Sequence, residues 1–180
     1  NSNFLLGSIL LGQKKLQEAE KSFRKTIELK PDFAIAHLNL GIILRDLGNL
    51  KEAEISYRKA IEIKPDFADA HYNLGIILKD LGKLEDAEFS YRKAIELKPD
   101  FANAHLNLGI ILRDLSKLQE AEISVRKVIE INPNFAKAYE ALGLVLLEKN
   151  EYELSLKYFS ESANLLNDRK KKESNNQRFT

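Results

Sequence analysis

Pro31, Pro65, Pro99 and Pro133 stand 34 residues apart, and no other feature restricts the fold of this chain so tightly. Around them the sequence copies itself: Lys-Pro-Asp-Phe-Ala fills 30–34, 64–68 and 98–102, and Asn-Pro-Asn-Phe-Ala fills 132–136. A fixed period of this size means that one supersecondary unit is repeated and that neighbouring copies cover each other's apolar faces. Within the period two stretches of helical spacing alternate with short breaks: 34–47 and 50–63, then 68–81 and 84–97, then 102–115 and 118–131. Each period is thus a helical hairpin. Its inner break is Asp46-Leu47-Gly48-Asn49, Asp80-Leu81-Gly82-Lys83 or Asp114-Leu115-Ser116-Lys117, and glycine there suits the left-handed residue that ends a helix. Between hairpins proline stops the second helix, and Asp32, Asp66, Asp100 or Asn134 directly after it is expected to cap the next helix with its side-chain oxygen.

Composition removes several classes of function. Lys+Arg 28 against Asp+Glu 27 leaves a net charge of +1, so no global field draws the chain to nucleic acid or to an anionic membrane. Without cysteine there is no disulfide, thiolate metal site or cysteine nucleophile. The apolar opening from Phe4 to Gly12 lacks a basic leader and is too short to cross a bilayer, so membrane insertion is not expected and the stretch reads as a packed helix. A chain that begins at Asn1 and contains no methionine fits a piece of a longer protein. His37, His71 and His105 occur once per repeat, about 10 Å apart by helix-packing distances, whereas metal ligands lie about 2 Å from their ion. They read as packing residues. The Glu and Arg of the second helices, such as Glu54 with Arg58 and Glu88 with Arg92, are i, i+4 surface pairs that serve solubility. No phosphate-binding loop, nucleophile motif or clustered carboxylate pair stands out, so no catalytic residue, metal or cofactor is expected.

His37, Leu40, Gly41, Leu44, Ala53, Tyr57, Ala60 and Pro65 together resemble the signature of the tetratricopeptide repeat family, with histidine where tryptophan is common. The set recurs at His71, Leu74, Gly75, Leu78, Ala87, Tyr91, Ala94 and Pro99. It recurs again at His105, Leu108, Gly109, Leu112, Ala121 and Pro133, with Val125 and Val128 as departures. The first unit carries Leu6, Gly7, Leu10, Ala19, Phe23 and Pro31. The last carries Tyr139, Leu142, Gly143 and Leu146, then departs at Ser155, Ser162 and Asn167. The resemblance implies an all-α, right-handed superhelical solenoid of stacked antiparallel helix–turn–helix repeats, about 1–33, 34–67, 68–101, 102–135 and 136–167, forming a single domain over 1–167. Residues 168–180 break the period as a polar, basic extension, read first as a continuation of the last helix or a tail and second as a solvating cap for the stack. Its basic run, Arg169 to Lys172, is too short for a nucleic-acid stripe.

On each first helix a second stripe lies about 200° away from the stripe that faces the hairpin partner. It holds Asn39, Ile42, Arg45 and Asp46 beside Ile35 and Leu38; then Tyr72, Asn73, Ile76, Lys79 and Asp80 beside Asp69; then Asn107, Ile110, Arg113 and Asp114 beside Asn103 and Leu106. In the family this stripe lines the concave groove. The amides of Asn39, Asn73 and Asn107 each offer a donor and an acceptor, and they resemble the asparagine ladder in the repeat region of O-linked N-acetylglucosamine transferases, which implies a grip on extended polypeptide. The other reading is that they bond neighbouring helices. Leu5 and Ala141 take the corresponding positions in the outer repeats, so the ladder has three rungs. The cation–acid couples Arg45-Asp46, Lys79-Asp80 and Arg113-Asp114 either meet a ligand's charges or pair with each other at solvated helix ends. The lysines of a carboxylate clamp are missing; Ile35, Leu38, Asp69 and Tyr72 stand in their places. The expected function is a protein-interaction scaffold that holds an extended peptide or a partner helix. Two alternatives are the substrate-recruiting arm of a larger transferase-type enzyme whose catalytic domain lies outside this chain, and end-to-end self-association through a first repeat that lacks a polar cap.

Overall fold

The computed structural model describes residues 2–177, and among them the alternation of apolar stretches and breaks becomes ten α-helices and no strand. The chain divides into two compact units, 1–99 and 100–180. The first holds three hairpins: α1 (Ser2–Gly12) with α2 (Leu16–Leu29), α3 (Ala34–Asp46) with α4 (Leu50–Ile63), and α5 (Ala68–Asp80) with α6 (Leu84–Leu97). The second holds α7 (Ala102–Asp114) with α8 (Leu118–Ile131) and α9 (Ala136–Glu148) with α10 (Tyr152–Gln177). Helix boundaries fall within a residue or two of those read from the spacing. No helix among the described residues is long and apolar enough to cross a membrane.

What closes each hairpin is a missing side chain. A Cβ placed on Gly41 would lie 2.6 Å from Cε1 of Tyr57, and one on Gly75 would lie 2.6 Å from Cε1 of Tyr91. The aromatic ring of the second helix therefore rests directly on the backbone of the first, and both rings are fully buried. Phe23 on Gly7 and Phe159 on Gly143 repeat the arrangement in the outer hairpins, and Val125 takes the ring's place over Gly109. Ala19, Ala53, Ala87 and Ala121, fully buried one turn before, keep the helices equally close.

The inner breaks end their helices through a left-handed residue, Gly48 (φ 82°), Gly82 (φ 74°) and Ser116 (φ 60°), with Lys14 and Asn150 in the outer hairpins. Around Gly48 the Asn49 N–H donates to the Leu44 carbonyl (2.8 Å), which satisfies an otherwise free helix end.

The breaks between hairpins depart from expectation. Asp32, Asp66, Asp100 and Asn134 do not cap the following helices. The cap position belongs to Phe33, Phe67, Phe101 and Phe135, with no side-chain capping hydrogen bond. Burial explains the exchange. The Phe33 ring meets Phe4 with centroids 4.9 Å apart and lies under the Lys30 ammonium at 5.0 Å. Fully burying a phenylalanine contributes about 1.5–3 kcal/mol, so even these half-buried rings offset the roughly 1 kcal/mol of a polar cap. The turn is fixed from the next helix instead: Nε2 of His37 and of His71 donates to the carbonyl of Pro31 and of Pro65, each at 2.9 Å. In the last repeat the Tyr139 hydroxyl makes the same bond to Pro133 (2.9 Å).

The last hairpin compensates for its lost alanines. The Ser155 hydroxyl donates to the Gly143 carbonyl (2.8 Å) and the Ser162 hydroxyl to the Ala136 carbonyl (3.0 Å), so both polar groups are satisfied where they are buried. With Asn167 where the other repeats carry proline, α10 runs on to Gln177 and takes in most of the polar extension; residues 178–180 lie outside the described residues.

The Tyr57 hydroxyl is buried without a hydrogen-bond partner, and burial pushes its pKa far up. Phe23 and Phe159 occupy the equivalent place in other repeats. Tyr57→Phe is expected to stabilise the chain by about 1 kcal/mol by removing an unpaired buried polar group, seen as a higher midpoint in urea unfolding followed by circular dichroism.

Candidate peptide-binding surface

In the first unit the stripe of α3 and α5 stands clear of the hairpin cores. Asn39, Ile42, Arg45, Tyr72, Asn73 and Ile76 are half-buried, while Asp46, Lys79 and Asp80 are exposed. The Asn73 amide donates to the Asp69 carbonyl one turn earlier (2.8 Å), and its oxygen receives a long bond from Nη1 of Arg45 (3.4 Å). Arg45 thus joins two repeats while its other nitrogens hold Asp46 at 2.9 Å and 3.1 Å. Asn39 makes no side-chain hydrogen bond to the described residues. Lys79 lies 3.9 Å from Asp80. The Tyr72 ring leans on Tyr91 with centroids 6.0 Å apart, so part of its surface is spent inside its own hairpin.

In the second unit Asn107 and Ile110 are half-buried on α7. Arg113 pairs with Asp114 at 2.9 Å and approaches Glu148 of α9 at 3.5 Å. A depression of about 290 Å³ opens between α7 and α9, lined by Leu106, Ile110, Ala141 and Leu144, with Arg113, Lys137 and Glu140 at its edge.

Two positions assigned to this stripe are closed. Leu38 and Leu106 are buried, and Leu106 packs with Ala138, Ala141 and Leu142 of the next hairpin. The helical wheel places them beside the asparagines, but it does not show the packing of Leu106 against the next hairpin that covers it. Lys137, Glu140, Leu144 and Glu148 were not singled out from the sequence. The signal available for them was Ala141 standing at the asparagine position.

The opposite, second-helix face is less purely charged than the sequence suggests. Ile55 is 68 % exposed and Phe89 63 % exposed at equivalent positions of α4 and α6. Each flanks a shallow depression, about 400 Å³ with His37 and Ile27 in its wall and about 360 Å³ with His71 and Ile61 in its wall. The charges around them are spent on one another: Arg24 pairs with Glu20 and Glu52, both at 2.8 Å, and Lys83 and Arg58 converge on Glu54, both at 2.9 Å. Among the described residues no cluster of histidine and carboxylate side chains is arranged to hold a metal ion.

With these features in place, comparison gives the class. Sequence models of the tetratricopeptide repeat match residues 1–33, 41–82, 68–101, 90–123 and 125–157, so the chain is built of tetratricopeptide repeats. Its fold is the all-α solenoid of that class. Among solved structures it is similar to MamA, at 24 % identity over 92 % of this chain and 96 % of that one with a TM-score of 0.86. It is also similar to YrrB, described as a tetratricopeptide protein with an unusual peptide-binding site, at 24 % identity over 92 % of this chain and 86 % of that one with a TM-score of 0.81. A third is pilF of Pseudomonas aeruginosa, at 24 % identity over 91 % of this chain and 74 % of that one, again with a TM-score of 0.81. No curated protein sequence matches the chain at a significant level.

The Glu54 cluster carries a prediction. Burial works to raise the Glu54 carboxyl, but hydrogen bonds from Lys83 and Arg58 outweigh it and hold the pKa below the ordinary 4.5. A carboxyl with a depressed folded pKa stabilises the fold above the unfolded value, and that contribution is lost as pH falls through the folded one. Glu54→Gln is therefore expected to cost about 0.5–1 kcal/mol at neutral pH, a cost that shrinks and disappears as the pH falls through the depressed folded pKa and the carboxylate protonates, a trend that urea unfolding followed across an acid pH series will register.

Proposed function

We propose that this chain is a protein-interaction module whose first-helix faces hold extended polypeptide, with Asn39 and Asn73 in the first unit and Asn107 in the second as the residues that read backbone. The observation that carries the reading is unspent hydrogen-bonding capacity at Asn39 and Asn73, half-buried on the non-core stripe of the first unit. Asn39 has its whole amide available, and Asn73 uses one of its two N–H groups and a single long contact at its oxygen. Ile42, Ile76 and Ile110 supply apolar floor beside each asparagine, so a peptide gains burial and backbone hydrogen bonds together. Arg45, Lys79 and Arg113, each beside its own aspartate (Asp46, Asp80, Asp114), contribute side-chain contacts rather than a free positive field. Tyr72 adds an aromatic edge in the first unit. The resemblance to the asparagine ladder of O-linked N-acetylglucosamine transferases supports a grip that depends little on sequence. YrrB, of like fold and described as having a peptide-binding site, supports the class of ligand.

Replacing Asn39, Asn73 and Asn107 together by alanine is expected to weaken capture of bound proteins from a cell extract, compared by mass spectrometry with the unmodified chain. Loss of three backbone hydrogen bonds at about 1 kcal/mol each corresponds to roughly 100-fold in affinity. Partners retained equally by both proteins would overturn the asparagine mechanism.

A second reading, self-association through α1, is favoured by one comparison. Leu6 and Ile9 are 48 % and 58 % exposed, whereas Leu40 and Ile43 at the equivalent places in the next repeat are buried. A Leu6→Lys, Ile9→Lys double substitution is expected to convert concentration-dependent oligomers into monomers in light scattering. Monomer at every concentration of the unmodified chain would end this reading.

A further inference from the structure

The asparagine positions of the first helices run Asn39, Asn73, Asn107 and then Ala141, and the position three residues on runs Ile42, Ile76, Ile110 and then Leu144. In the second unit the exchange of amide for methyl has a shape. Ala141 is nearly buried against Leu106, and above it lies the depression of about 290 Å³ between α7 and α9. That size is at the lower limit of cavities that take small molecules, about 300 Å³, and suits one large side chain of a longer ligand. The floor offers no hydrogen-bonding group: Leu106, Ile110, Ala141 and Leu144 are all aliphatic.

The edge carries charge of both signs. Arg113 is held by Asp114 at 2.9 Å and by Glu148 at 3.5 Å. Lys137 and Glu140, one turn apart on α9, are exposed and make no ion pair with the described residues. An aliphatic pocket flanked by one unspent cation and one unspent anion gives both an anchor and a direction.

We propose that this pocket is a side-chain specificity site. It takes a leucine or phenylalanine of an extended peptide whose acidic neighbour meets Lys137 and whose basic neighbour meets Glu140. The inference rests on the reading of the first-helix face as a peptide groove, and adds to it the class of sequence that binds: a bulky apolar residue between charges of opposite sign. Backbone reading alone would accept any side chain. The missing rung at Ala141 makes the second unit selective.

The test uses fluorescence anisotropy of labelled twelve-residue Ser/Gly peptides with central Asp-Leu-Lys, Asp-Ala-Lys or Lys-Leu-Asp. The proteins are the full chain, an Ala141→Asn variant, and a Lys137→Glu, Glu140→Lys exchange. Asparagine already occupies this position in three repeats and the exchanged charges are exposed, so both variants are expected to fold, which circular dichroism checks. The full chain is expected to prefer leucine over alanine by roughly tenfold, Ala141→Asn to lose that preference, and the charge exchange to reverse the order preference between Asp-Leu-Lys and Lys-Leu-Asp. Equal binding of all peptides, or a leucine preference that survives Ala141→Asn, would overturn the pocket and leave the groove reading standing. No binding of any peptide to the full chain would overturn both.

Discussion

Every level of this structure depends on two helices approaching until an aromatic ring touches backbone. Gly41 and Gly75 permit that approach, and Tyr57 and Tyr91 fill it. With any larger residue at the glycine the ring would have to move, and the apolar faces that each hairpin offers its neighbours would lose their alignment. The repeat is therefore specified by a pair of residues sixteen positions apart, and the stacking of hairpins inherits its geometry from that pair. Phe23, Phe159 and Val125 show that the demand is for volume over the glycine rather than for a hydroxyl, which fits the unpaired state of the Tyr57 oxygen.

Much of the fold was legible because it is periodic. The prolines at 34-residue intervals marked the hairpins, and Gly48 and Gly82 marked the inner breaks and take positive φ there. The helix starts were misread at Asp32, Asp66, Asp100 and Asn134 because capping preference is local, whereas burial of Phe33 against Phe4 is a contact between hairpins. Single-sequence spacing carries the first kind of information and not the second.

The candidate surface was legible to a smaller degree for the same reason. A helical wheel groups Leu38 with Asn39 and Leu106 with Asn107, yet both leucines are buried, Leu106 against the next hairpin, while the asparagines remain half-buried. The wheel does set Ile55 and Phe89 about 200° from the buried Ala53 and Ala87, but the Glu and Arg around them dominate the composition of those helices and hide the two exposed apolar side chains. Lys137 and Glu140 gain meaning only beside the depression over Ala141, which no stretch of sequence contains by itself.

The ion pairs of the second helices carry an evolutionary consequence. Arg24 reaches Glu52 and Lys83 reaches Glu54, so within the first unit neighbouring hairpins settle charges with each other. The repeats 34–67 and 102–135 each contain as many acidic as basic side chains. Duplication or loss of such a 34-residue segment would change the length of the array while leaving its net charge unchanged and its junction chemistry intact. For those two repeats, local neutrality leaves the array free to lengthen or shorten by a whole unit at no cost in net charge.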